Sequence, residues 1–174
     1  MKYILIFLTA VLSFSCGDKV KENNIQKQNQ TDEKQNQTNQ NSQYTLKPNQ
    51  VIINPVTEDF IIIFGSNYKS FTPQNGEIEI ADKLLKESFD KEKSGTVNRL
   101  FGKKLEDYNI QFAGATDESG DKIIWINCFC KPEKENDEWK HRAILAKGGG
   151  YCFFNLKVNI TKNISGDLNV NGNK

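Results

Sequence analysis

Between residues 151 and 161 the chain alternates with a period of two. Cys152, Phe154, Leu156, Val158 and Ile160 fall on one side, and Tyr151, Phe153, Asn155, Lys157 and Asn159 on the other. That period belongs to an extended strand with one face in a core. A slip of one residue would carry the whole apolar set into water, so the register is fixed and something must cover the apolar side.

The cover is legible upstream. Over residues 73–92, Ile78, Ala81, Leu85 and Ser88/Phe89 form a stripe with Ile80 and Leu84 beside it, opposite Glu79, Asp82, Lys83, Lys86, Glu87 and Asp90. The spacing predicts an amphipathic helix, begun by Thr72 as N-cap and Pro73 at the first helical position. Further strands are predicted over 109–116, 122–130 and 138–147, with a short last one at 167–171. Asp117-Glu118-Ser119-Gly120 makes a hairpin turn between the first two. The run Phe60-Ile61-Ile62-Ile63-Phe64, followed by Gly65-Ser66-Asn67, reads as a buried strand. One main helix packed on a four- to five-stranded antiparallel meander gives an α+β domain. In its order of elements it resembles a cystatin-like or NTF2-like roll, a likeness of topology that implies no function.

Composition divides the chain. From Asp18 to about Gln50 it is Asn, Gln, Lys, Glu and Thr with almost nothing to bury, too little to offset a backbone ordering cost of roughly 1 to 2 kcal/mol per residue. This stretch is predicted to be a disordered tether with a reach of about 30 Å. Residues 51–174 remain as a single domain, long enough to bury a core. With 23 Lys and Arg against 22 Asp and Glu, the net charge is +1, which gives no basic patch for nucleic acid.

Leu12-Ser13-Phe14-Ser15-Cys16-Gly17 closes an apolar run that starts after Lys2. The run is about half as long as a membrane-spanning helix requires and has the layout of a secretory signal. Its end resembles the signal of bacterial lipoproteins, in which signal peptidase II cuts ahead of a cysteine that carries diacylglycerol. The resemblance implies that residues 1–15 are removed and that Cys16 becomes an acylated N-terminus, with residues 16–50 as the lipidated tether. It also implies a place in the cell envelope, in the outer membrane of a Gram-negative bacterium, since Gly17 stands where an inner-membrane retention signal has Asp.

Candidate sites are few. Cys128, Cys130, Cys152 and the single histidine, His141, suggest a metal centre. In a meander, however, the strand at 138–147 separates Cys152 from Cys128 and His141 by about 16 Å. The same spacing argues for three small buried thiols rather than a bridge. Gly148-Gly149-Gly150 lacks the helix and Lys-Ser/Thr that a phosphate loop requires and reads as a turn. No set of residues supports catalysis. If Ile124, Ile126, Cys128 and Cys130 join the core, the reverse face of the sheet carries Trp125, Phe129, Tyr151 and Phe153. Exposed, that face would be a binding surface; alternatively, residues 51–71 cover it as extra core. The expectation is a non-enzymatic, membrane-anchored module without a cofactor that binds a protein or an apolar ligand through the Trp125 face. Alternatives are an immunity-type lipoprotein that neutralises a secreted toxin and an envelope enzyme that uses His141 or the cysteines.

Overall fold

The computed structural model describes residues 43–95, 99, 100, 102–131 and 137–172. The signal, Cys16 and most of the tether lie outside them, as does most of the polar loop expected at 132–137.

Three long strands make the centre of the sheet: β3 (Tyr108–Thr116), β4 (Lys122–Cys130) and β5 (Phe153–Asn159). β3 and β4 pair antiparallel over their whole length, from Tyr108 opposite Cys130 to Thr116 opposite Lys122. Their turn is held by Asp117, whose carboxylate accepts from the backbone N–H groups of Ser119 and Asp121, each at 2.9 Å. β4 then pairs antiparallel with β5, from Ile123 opposite Asn159 to Phe129 opposite Phe153. Short strands complete both edges. β1 (Gln50–Ile52) runs parallel to the first half of β3, and β2 (Lys69–Phe71) antiparallel to its second half. β6 (Ile164–Ser165) and β7 (Asn169–Val170) lie along β5. The result is an open mixed sheet in an α+β fold, with residues 40–174 forming one compact unit.

α2 (Asn75–Ser94) covers one face. Ile78, Ala81, Leu84, Leu85 and Phe89 pack on Ile110, Phe112, Ile124, Ile126, Cys128, Phe154, Leu156 and Val158, the apolar set expected from β4 and β5. The helix starts two residues later than expected. Gln74, not Thr72, is the N-cap, and its backbone N–H donates to the Glu77 carboxylate at 2.7 Å. Gly114 permits this approach, because a Cβ there would sit 2.6 Å from the Phe71 carbonyl oxygen and 2.9 Å from the Pro73 ring.

The second face departs from expectation in two places. Residues 60–64 are not a strand but the end of a helix, α1 (Thr57–Phe64). Phe60, Ile63 and Phe64 turn inward at helical spacing while Ile61 and Ile62 face solvent. All five residues in that run are β-branched or aromatic and apolar, so its composition hides the period. Two small residues of β3, Ala113 and Ala115, leave room for the helix to lie close to the sheet beside Trp125.

The strand expected at 138–147 does not form. A 3-10 turn (Glu138–Lys140) leads into an irregular segment that crosses the same face. Gln111 and Asn127, opposite one another on β3 and β4, hold it there. The Gln111 amide donates to the carbonyls of Trp139 and Arg142, both at 2.6 Å, and accepts from the Ile144 N–H at 3.0 Å. The Asn127 amide donates to the Gln111 carbonyl at 3.0 Å and to the Ile144 carbonyl at 2.8 Å. Two buried amides thus replace a strand ladder, satisfying backbone groups that burial would otherwise leave unpaired.

With no strand between them, β4 and β5 are direct neighbours, and the expectation of three free thiols fails. Cys130 lies across from Cys152, their Cα atoms 4.8 Å apart, and the two form a disulfide; Cys128 stays a buried thiol. The segment ahead of β1 is also tied down. Tyr44 and Leu46 pack at the edge of the α2 core. The Gln50 amide accepts from the Tyr44 hydroxyl (2.9 Å) and the Lys47 N–H (3.0 Å) and donates to Asp82 of α2 (2.6 Å). Asp82 also pairs with Lys47 at 2.7 Å.

Candidate binding groove

The four aromatic residues of the predicted face do not form one exposed surface. Trp125 is 4 % exposed, packed beneath α1 with Ile63, Phe64, Ala113 and Ala115. Phe129 is buried too, edge-on to Trp139 with ring centroids 5.9 Å apart and stacked toward Phe153 at 6.4 Å. Phe153 is half-buried under Gly149, whose φ of +93° and lack of a Cβ leave space for the ring. Tyr151 alone is exposed, on a turn, with the Lys103 ammonium 5.6 Å from its ring. The covering by residues 51–71 is what the structure shows, joined by the segment that Gln111 and Asn127 hold. The correction has a physical basis: a sheet with two apolar faces needs two covers.

What remains open is a groove of about 530 Å³ between α1, that segment and the β6–β7 edge. Ile62 and Ile63 form its helical wall and Leu145 stands across from them, with the edge of Trp125 at the base. Ile62 is 71 % exposed and Leu145 41 %. The polar lining comes from Asn155 and Lys157 of β5 and from Asp167 and Asn169 of the edge. Lys157 lies opposite Trp125 in the β4–β5 ladder. Its ammonium is 5.5 Å from the centroid of the Phe64 ring, within reach of a cation–π attraction. Partial burial here pushes the Lys157 pKa below the ordinary lysine value, since the charged form loses water. Among the described residues no carboxylate forms an ion pair with it. The groove therefore offers aliphatic contact, two amides, a carboxylate and a partly desolvated cation, a mixture of apolar walls and a few polar groups of the kind ligand sites use.

The other candidates do not come together. His141 is exposed at the end of the 3-10 turn, and among the described residues no group of His, Cys, Asp or Glu is arranged to hold a metal. Cys130 and Cys152 are bonded to one another, and burial pushes the Cys128 thiol up, so none of the three presents a thiolate. Sequence reasoning placed Trp125 and Lys157 on this face but missed Ile62 and Leu145, which were assigned to strands. The signal that would have found them is the pair of polar residues, Gln111 and Asn127, on an otherwise apolar face.

The fold and groove define an α+β domain with a ligand-sized trough on the sheet face opposite its main helix. Comparison with known protein families, curated proteins and solved structures finds no match. No helix among the described residues is long and apolar enough to cross a membrane.

Proposed function

We propose that this chain is a non-enzymatic binding module of the bacterial cell envelope. It is fixed to the membrane through lipid on Cys16 and takes a protein segment or an apolar ligand in the groove over Trp125. The observation that carries the binding role is the groove itself: aliphatic side chains left in water beside a cation partly stripped of it. Its volume falls within the roughly 300 to 1,000 Å³ of small-ligand sites. The anchor rests on the run from Leu12 to Gly17. Two or three acyl chains, each contributing about 0.8 kcal/mol per buried methylene, make such an attachment stable where a single chain would be readily reversible.

Two measurements test the two halves. Mass spectrometry of the protein from cells is expected to show an acylated Cys16 as first residue, lost in Cys16→Ser. A fatty-acid-free chain that starts elsewhere overturns the anchor. For the groove, anilinonaphthalene sulfonate joins an apolar body to an anion. It is expected to bind with energy transfer from Trp125 (measured in a Trp139→Phe background) and to lose at least tenfold in affinity in Leu145→Asp. Binding that ignores Leu145→Asp overturns the groove.

A further inference from the structure

We infer that the groove reads peptide backbone. Its occupant is an extended segment of another protein, held by Asn155 and Asn169 as Gln111 and Asn127 hold the chain's own residues 139–144. This rests on the reading of the groove as a binding site and decides between the protein segment and the apolar ligand proposed for it.

Four side-chain amides stand in one row across the sheet. Gln111 lies opposite Asn127, Asn127 opposite Asn155, and Asn155 opposite Asn169. Directly paired residues share a face, so the row crosses β3, β4, β5 and β7 on the α1 side in steps of about 4.8 Å. A side-chain amide carries both donors and an acceptor, as a peptide group does. The inner half of the row already uses that likeness. Gln111 and Asn127 bond the carbonyls of Trp139, Arg142 and Ile144 and the Ile144 N–H, in a segment that forms no strand of its own. That segment follows the row no further. After Ile144 it turns off to Asn171, whose amide donates to the Ala146 carbonyl at 2.8 Å and the Gly148 carbonyl at 3.2 Å.

The outer half of the row is left in the groove. Asn155 and Asn169 both line it, between Ile62 on one side and Leu145 on the other. Among the described residues the half-buried Asn155 side chain has no hydrogen-bond partner, and that of Asn169 donates only to the Asp167 carbonyl, at 3.2 Å. Charge does not name the occupant, since Lys157 shares the groove with Asp167. The amides do. A purely apolar ligand would strip water from both and give nothing back, which costs affinity. An extended segment satisfies them with its own N–H and C=O groups, and one of its aliphatic side chains enters between Ile62 and Leu145, over the edge of Trp125.

The test is selection of displayed random heptapeptides on the chain from Gly17 to Lys174, which keeps the whole compact unit, then titration of the selected peptide synthesised with blocked ends. Enrichment of sequences with a central aliphatic residue is expected. Methylating the peptide nitrogens beside that residue removes backbone donors and keeps every side chain, and it should weaken binding at least tenfold. Asn155→Leu keeps the size of the side chain and removes its amide. It should lose at least ten times more affinity for the peptide than for anilinonaphthalene sulfonate, whereas Leu145→Asp should weaken both. No enriched peptide overturns the inference, as does a peptide indifferent to backbone methylation or to Asn155→Leu. Anilinonaphthalene sulfonate binding without peptide binding overturns backbone recognition and leaves the groove standing; loss of both removes the groove as well. A peptide that binds as expected where the probe does not supports the inference and removes the apolar ligand.

Discussion

The two faces of the sheet are built on different principles. The α2 face is closed mainly by apolar side chains, interlocked along one amphipathic helix and three strands. The α1 face has a smaller core around Trp125, two buried amides that replace a strand, and aliphatic side chains left in solvent. One face is closed by its own helix; the other leaves aliphatic side chains in solvent, and the proposed binding falls there. Binding surfaces are drawn from the less tightly specified parts of a fold, where local opening costs least.

The comparison breaks if the faces respond alike to mutation. Phe154→Ala, in the α2 core against Phe89 and Tyr108, should cost about 3 to 5 kcal/mol in urea unfolding and leave little folded protein. Cys152→Ser removes a cross-link between residues 22 apart and should cost about 2 to 4 kcal/mol, with reductant producing the same loss in the unmodified chain. Gln111→Ala strands the carbonyls of Trp139 and Arg142 and the N–H of Ile144, for about 1 to 3 kcal/mol. Hydrogen exchange should show that loss as faster exchange at Ile144, with the amides of α2 still protected. Equal acceleration on both faces would refute the division.

Lys157→Met should change stability at neutral pH by less than about 0.5 kcal/mol in either direction. The native pKa is lowered, so the unfolded chain binds more protons between the native value and the ordinary lysine value of about 10.4. Wild-type stability should therefore rise, relative to Lys157→Met, as pH climbs through that window. Smallest is Asp121, whose carboxyl is held below the usual range by Lys162 and Asn159. Its contribution is present above the ordinary carboxylate pKa and lost as pH falls through the native value. An acid increment in the melting curve should be absent from Asp121→Asn.

The α2 face was largely legible in the sequence because its signals are long and periodic. β4 spans the residues read for it, β3 begins one residue early, and the inward sets of β4 and β5 are those expected. The α1 face was not, for three physical reasons. An unbroken apolar run such as residues 60–64 carries no period. Edge strands of two or three residues, like β1, β2 and β6, carry none either, whereas β7 falls inside the short last strand expected at 167–171. The segment at 138–147 takes its path from side-chain amides on strands far away in sequence. The cysteine pairing failed with it, since a disulfide depends on which strands are neighbours. Trp125 was found but the sequence left open whether its face was exposed or covered by residues 51–71, because alternation says which side a residue takes but not what comes to cover that side.

The clamp at Gln50 has a mechanical consequence. A pull that arrives through the residues ahead of Gln43 does not simply peel a terminal strand from an edge. At Tyr44, Lys47 and Gln50 it meets a junction wired through Asp82 into the long helix and through β1 into the sheet. Both layers share the load, so the domain resists unravelling from that end.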